Sequence, residues 1–203
     1  MTVTRLAASK KKGMVDLYID DILAATLTEL SVLSASLHKG REISQKELDD
    51  VIFSSDCQIA FSRSVNYLAR GLKTQKQMGD YLKLKGYGAE IVKKTLLKLA
   101  HYGYVDDAMF VATYSQYHSS NRGPLRIRQE LLAKGVKKEV IESNVFCDDE
   151  RSGEACLASA LKYMRSKEVN PKTLLSLKRH LLYKGYTYEQ INTAVAKLYK
   201  EEE

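Results

Sequence analysis

Three of the chain's Lys-Gly pairs recur at an even spacing: Lys85-Gly86, Lys134-Gly135 and Lys184-Gly185, with the glycines 49 and 50 residues apart. The residues around them fall into columns. Eight positions before each glycine stand Met78, Ile127 and Leu177, and four before stand Leu82, Leu131 and Leu181. Glu90, Glu139 and Glu189 come four after; Val92, Ile141 and Ile191 six after; Leu96, Val145 and Val195 ten after. Five matched columns mark an internal repeat, and a period of this length belongs to stacked supersecondary units that lean on one another.

The physics of one unit can be read from the columns. Apolar residues four apart lie on one helix face, so a helix ends just before each glycine, which closes it in the left-handed conformation without a Cβ penalty. The positions six and ten after the glycine mark the inward face of a second helix. Starts are signalled too. Thr74-Gln75-Lys76-Gln77 has the form of a capping box, and Pro124 and Pro171 stand where a first-turn proline belongs. Ala60 to Leu72, Met109 to Tyr117 and Cys156 to Met164 supply one further helix per unit. The spacing therefore predicts three three-helix units, over 60–107, 108–150 and 151–203.

The first 43 residues obey a different rule. Val3-Thr4-Arg5-Leu6, Met14 to Ile19 and Ile22 to Leu27 are strand-like, with Asp20-Asp21 as a turn between the last two. A β-hairpin or meander is expected over 1–43, packed against the chain beyond it, because an isolated hairpin is marginal in water. Ser44-Gln45-Lys46-Glu47 is a second capping box, predicting a connecting helix over 44–59. The expected fold is mainly α: three tandem three-helix bundles in an elongated arrangement behind a small N-terminal β region.

Composition narrows the function. Among 203 residues, 32 Lys and Arg face 25 Asp and Glu, a net charge of +7 that suits a polyanionic partner or serves solubility alone. No apolar run approaches the ~18 residues of a membrane span and no signal pattern opens the chain, so a cytoplasmic protein is expected. Three cysteines without CxxC spacing support neither a disulfide framework nor a zinc site. No phosphate-binding glycine loop, nucleophile elbow or HExxH motif appears, and the four histidines are scattered. His180, in the run Lys178-Arg179-His180, reads as a surface residue. A non-enzyme without metal or cofactor is expected.

The candidate contact residues are basic. Segment charges are +1 for 1–43, −3 for 44–59, +5 for 60–107, zero for 108–150 and +4 for 151–203. The neutral second unit is locally polarised, with Arg122, Arg126 and Arg128 at a helix start, Lys134 at its end, and Asp148-Asp149-Glu150 beyond. Arg126 can pair with Glu130 one turn on, and Arg128 reads equally as a structural or a surface arginine. Arg122 and Arg126 are expected to face outward together. In the first unit Lys73, Lys76, Lys83 and Lys85 form a similar basic edge. Tyr114, Tyr117, Tyr183, Tyr186 and Tyr188 suit either stacking beside the cations or packing. Asp106-Asp107 reads as a helix cap rather than a metal site.

Gly103-Tyr104-Val105-Asp106-Asp107-Ala108-Met109-Phe110, then Tyr114, Arg122-Gly123-Pro124, Arg126 to Leu131 and Lys134-Gly135-Val136, resemble the central motif of the RecX family, bacterial regulators of the RecA recombinase. Ala69-Arg70 to Gly86-Tyr87 resembles the family's first unit, and the region ending in Lys39-Gly40-Arg41-Glu42-Ile43 the β extension of its longer members. Asp20-Asp21-Ile22 departs from the glycine-containing turn expected there, and Gly71-Leu72-Lys73 from an Arg-Pro-Arg style segment. No long apolar heptad seam is present, so a monomer is expected. The resemblance implies a protein that binds RecA filaments on single-stranded DNA, lodges in their groove and inhibits ATP hydrolysis, strand exchange and coprotease activity. It places RecA contact, and single- or double-stranded DNA as an open further partner, on the basic residues named above. Asp106, Asp107, Gly86, Gly135 and Gly185 are its structural motif positions. The residues alone leave two alternatives: an independent nucleic-acid-binding repeat protein, or a helical adaptor for another protein.

Overall fold

The computed structural model describes residues 1–145 and 149–200. Cys147 and Asp148 lie outside the described residues. Three strands come first: β1 (Val3–Ala8), β2 (Met14–Ile19) and β3 (Ile22–Thr28), an antiparallel meander in the order β1-β2-β3. Asp20 and Asp21 turn β2 into β3 with φ of 47° and 65°. Two left-handed residues form the tight turn whose twist matches the strands, and aspartate tolerates that conformation. The departure from glycine thus keeps the turn.

Helix α1 (Glu29–Ser34) comes next, then α2 (Gln45–Leu68), α3 (Gln75–Leu84) and α4 (Ala89–His101). The expected capping box at Ser44 is present, with Glu47 bonding back to the Ser44 N–H. A helix over 44–59 and another from Ala60 were expected; α2 instead runs unbroken for 24 residues. No glycine or proline interrupts Gln45 to Leu68, so nothing stops the helix. Its first half carries Leu48, Val51 and Ile52 to a core with Val3, Leu17, Leu27 and Leu37. Its second half carries Ala60, Phe61 and Val65 to a core with Met78, Leu82, Val92 and Leu99.

The second bundle comprises α5 (Asp107–His118), α6 (Pro124–Ala133) and α7 (Lys138–Asn144); the third comprises α8 (Asp149–Met164), α9 (Pro171–Tyr183) and α10 (Tyr188–Lys200). Each has its own core, around Val111, Ile127, Leu131 and Ile141 in one and Cys156, Leu177, Leu181 and Ile191 in the other. The four columns expected inward are buried, except Leu96 and Val145, which are half-buried. All three glycines have positive φ, 87°, 82° and 86°. In each repeat the next N–H returns to the carbonyl of the buried leucine: Tyr87 to Leu82, Val136 to Leu131 and Tyr186 to Leu181, at 3.1–3.2 Å. The motif satisfies carbonyls a helix end leaves orphaned.

The chain divides into two compact units, Met1–Lys73 with Met78–Val105, and Thr74–Gln77 with the chain from Asp106 on. Within the second unit, the start of α6 docks on the end of α9 through backbone. The Gly123 N–H donates to the Lys184 carbonyl at 2.8 Å and the Leu125 N–H to the Gly185 carbonyl at 3.1 Å. Both Gly123 and Gly185 are buried, and a Cβ on either would overlap the facing backbone segment.

Candidate functional site

Two basic residues of the second bundle, Arg122 and Arg126, converge on one carboxylate. Arg122 Nη1 donates to Glu130 Oε2 at 2.5 Å and to the Tyr114 hydroxyl at 3.0 Å. Arg126 Nε donates to Glu130 Oε1 at 2.9 Å, and the Tyr114 hydroxyl donates to Glu130 Oε2 at 2.8 Å. The two arginines therefore do not stand free together, as expected from spacing. Glu130 lies one turn beyond Arg126, and the chain between α5 and α6 brings Arg122 back over the same carboxylate. Burial pushes Glu130 up, but hydrogen bonds from Arg126 and Tyr114 and the charge of Arg122 outweigh it, so its carboxyl is held below its ordinary range.

Around this cluster the cations lie on aromatic rings. The Arg126 guanidinium sits 5.2 Å from the Tyr183 ring centroid and the Lys134 ammonium 5.3 Å from that of Tyr114. Cations over ring faces at this distance are attracted by the ring quadrupole. Arg128 is exposed two positions on from Arg126, hence on the other side of α6, and makes a contact of its own.

In the first bundle, Lys73 lies 5.3 Å from the centroid of Tyr67 and Lys85 5.7 Å from that of Tyr81. The two tyrosines stack, 4.1 Å apart and 6° from parallel. Lys83 is exposed. Lys76 is exposed and engaged, and its aliphatic carbons lie against Gly135. The aspartates serve as helix-start acceptors: Asp106 takes the N–H groups of Ala108 and Met109 at 2.8 and 3.1 Å, and Asp107 takes that of Gln75 at 2.8 Å. The tyrosines divide, with Tyr186 fully buried and Tyr117, Tyr183 and Tyr188 more than two-thirds exposed.

The third bundle holds an arrangement that the basic-residue pattern passed over. Tyr163 stacks on His180 at 4.8 Å and 29°, and the Lys167 ammonium lies 3.2 Å from the Tyr163 centroid. His180 is thus a half-buried partner in a stack, not a bare surface residue. The signal was available in the repeat itself, because Tyr81, Glu130 and His180 occupy one column, five before each glycine.

Nothing in these clusters has the layout of a catalytic centre. Cys156 is buried and its thiol is pushed up to about 11, mainly by burial, which leaves it a poor nucleophile. Among the described residues no group of three His, Cys, Asp or Glu side chains could hold a metal ion, and no helix is long and apolar enough to cross a membrane. The arrangement is suited to binding through charge and aromatic surface.

Known proteins resemble this chain over nearly its whole length. The family profile for the first three-helix domain of RecX matches residues 60–99, and that for the second matches residues 106–143. Regulatory protein RecX of Bacillus pumilus is 28% identical over 211 residues, covering 99% of this chain and 79% of its own. The same-named protein of Clostridium acetobutylicum is 26% identical over 208 residues, covering 98% and 97%. A crystal structure of regulatory protein RecX shares the fold with a TM-score of 0.79 at 24% identity, over 96% of this chain and 98% of that one. RecX from Lactobacillus salivarius superposes with a TM-score of 0.67 at 23% identity, over 71% and 97%.

Proposed function

We propose, because this chain belongs to the RecX family, that it is a regulator of the RecA recombinase. It binds RecA filaments on single-stranded DNA and restrains their ATP hydrolysis, strand exchange and coprotease activity. It works in the cytoplasm as a monomer, by binding rather than by chemistry of its own. The observation that carries this proposal is the pair of adjacent family domains matched over residues 60–99 and 106–143.

The contact residues we assign are Arg122, Arg126, Arg128 and Lys134 in the second bundle and Lys73, Lys76, Lys83 and Lys85 in the first. Guanidinium groups suit bidentate contact with carboxylates on a protomer, and Glu130 holds two of them in place until a partner carboxylate competes. The test is RecA-driven ATP hydrolysis on single-stranded DNA with increasing amounts of this protein. Inhibition is expected. Replacing Arg122, Arg126 and Glu130 together with glutamine removes the cluster without stranding a charge. That variant should keep its helix content and inhibit at least tenfold less well, about 1.4 kcal/mol of binding. A protein that leaves hydrolysis untouched at saturating amounts is not a RecA regulator of this kind. Unchanged inhibition by the variant moves the contact face away from the second bundle.

A further inference from the structure

A cavity of about 420 Å³ opens within the second compact unit, where the second bundle meets the start of α8 in the third. That volume falls in the range of small-molecule sites and is far more than a lone ion needs. Its floor is buried and mostly apolar, built by Pro124 and Ile127 of α6 with Ser115 of α5. Val145, half-buried after α7, adds an apolar side. Both charged side chains in the lining are arginines, Arg122 half-buried and Arg151 exposed, and among the described residues no carboxylate lines the cavity. Arg122 shares its charge with Glu130, and Arg151 makes a contact of its own. The Ser115 hydroxyl is buried and has no hydrogen-bond partner among the described residues, which sets it apart from most buried polar groups.

We propose that this cavity binds a small organic anion: an apolar ring body that carries one carboxylate or phosphate group. The floor of Pro124 and Ile127, with Val145 at the side, takes the body, which gains by leaving water. The anionic group meets the arginines, since a guanidinium presents paired N–H donors that fit a carboxylate or a phosphate bidentately. An uncharged ligand would leave both guanidinium groups idle, and a bare anion would leave the apolar floor unused. A polar substituent on the ring would answer the orphaned Ser115 hydroxyl. Because the lining comes from α5, α6 and α8, an occupant ties the second bundle to the third and stabilises the folded chain by mass action. The site goes beyond regulation of RecA and is tested without it, so the two readings fail separately.

The measurement is a titration of the isotope-labelled full chain with naphthoate and, separately, naphthyl phosphate, followed by backbone amide chemical shifts. Naphthamide supplies the same body without charge, and inorganic phosphate supplies charge without the body. Saturable shifts are expected at Ser115, Ile127, Val145 and Ser152, and the tighter of the two anions names the head group. Naphthamide and inorganic phosphate should each bind about tenfold more weakly or worse. Arg151→Gln should weaken the anion about tenfold and leave naphthamide unchanged, and Arg151→Lys should recover part of the loss. Ser115→Ala should weaken it about threefold without lowering the melting temperature of the free protein, because the hydroxyl it removes bonds to nothing. Ala112 is exposed in the lining, so Ala112→Phe should block the cavity and keep the fold. The absence of saturable shifts with either anion overturns the proposal, as does equal binding of naphthoate and naphthamide. Shifts that lie outside the cavity, or that survive Ala112→Phe in a folded protein, also overturn it. So does displacement of the bound anion by oligothymidylate, which would make the cavity part of a nucleic-acid face.

Discussion

In the second bundle the residue five before the helix-closing glycine is Glu130, clamped by Arg122, Arg126 and Tyr114; in the third it is His180, stacked on Tyr163 between lysines that lack carboxylate partners among the described residues. The scaffolds match. Both helices end on a Lys-Gly pair, both return a Schellman-type bond to a buried leucine, and both have a tyrosine from the preceding helix beside that column. At this position the glutamate takes up the arginines around it, whereas the histidine leaves Lys184 on the Ser159 hydroxyl and Lys167 on the Tyr163 ring. Two of the second bundle's three arginines, Arg122 and Arg126, are ligands of its own glutamate.

The comparison holds only while α6 stays docked on the end of α9, so the sharpest way to break it is at Gly185. A Cβ there would lie 2.4 Å from the Arg126 backbone nitrogen, and φ is 86°. At Gly86, φ is 87° but no atom stands within 4 Å of the added carbon. Gly86→Ala should cost about 1–2 kcal/mol from the left-handed backbone alone. Gly185→Ala carries that strain and a backbone overlap, and should cost about 3 kcal/mol or more in urea denaturation. Equal losses would mean the docking contributes nothing.

Exchanging the deciding residue sharpens the comparison at lower cost. Glu130→His strands two guanidinium groups and the Tyr114 hydroxyl. With the glutamate side chain 21% exposed and the arginines 36–37% exposed, the loss should be about 1–2 kcal/mol rather than that of a deeply buried pair. The reverse change, His180→Glu, offers Lys167 and Lys184 a carboxylate and should alter stability by less than about 0.5 kcal/mol. If both changes cost alike, the two positions are not electrostatic opposites.

The smallest effect is in the pH dependence. His180 is lowered, chiefly by burial and then by its two lysines, so the unfolded chain binds a proton before the folded one does. Its contribution is present above pH 6.5 and is lost as pH falls below that value. Glu130 is lowered too, its hydrogen bonds from Arg126 and Tyr114 and the charge of Arg122 outweighing burial; its contribution is lost only as pH falls below 4.5. The melting temperature of the wild type should therefore drop a little between pH 7 and 5.5, and His180→Gln should flatten that segment. Glu130→Gln should flatten only the acid limb. A single variant that flattens both would join the two groups into one titrating unit.

Much of this molecule is written in short-range pattern. Met78, Leu82 and Gly86, with their column mates, specify where a helix faces and where it stops, because side-chain spacing and the left-handed glycine act within one or two turns. Thr74 and Ser44 announce their helix starts for the same reason, and the Asp20-Asp21 turn arises where two strand patterns meet. The unbroken α2 was less legible. A helix carrying two different cores has no local mark at the point where one core gives way to the next. Thr187 and Gln190 form a capping box that a Ser/Thr-x-x-Glu/Gln scan would also have found.

The three bundles, their inward residues and the basic excess follow from period, caps and composition, which are properties of neighbours along the chain. Which charges are available is set by helix packing. Arg122 reaches Glu130 by a fold of the chain between α5 and α6, and Lys167 covers Tyr163 while Tyr163 stacks on a histidine from another helix. A charge is satisfied or free according to what lies within a few ångströms in space, and Coulomb and ring contacts at that range are set by helix packing rather than by position in the chain.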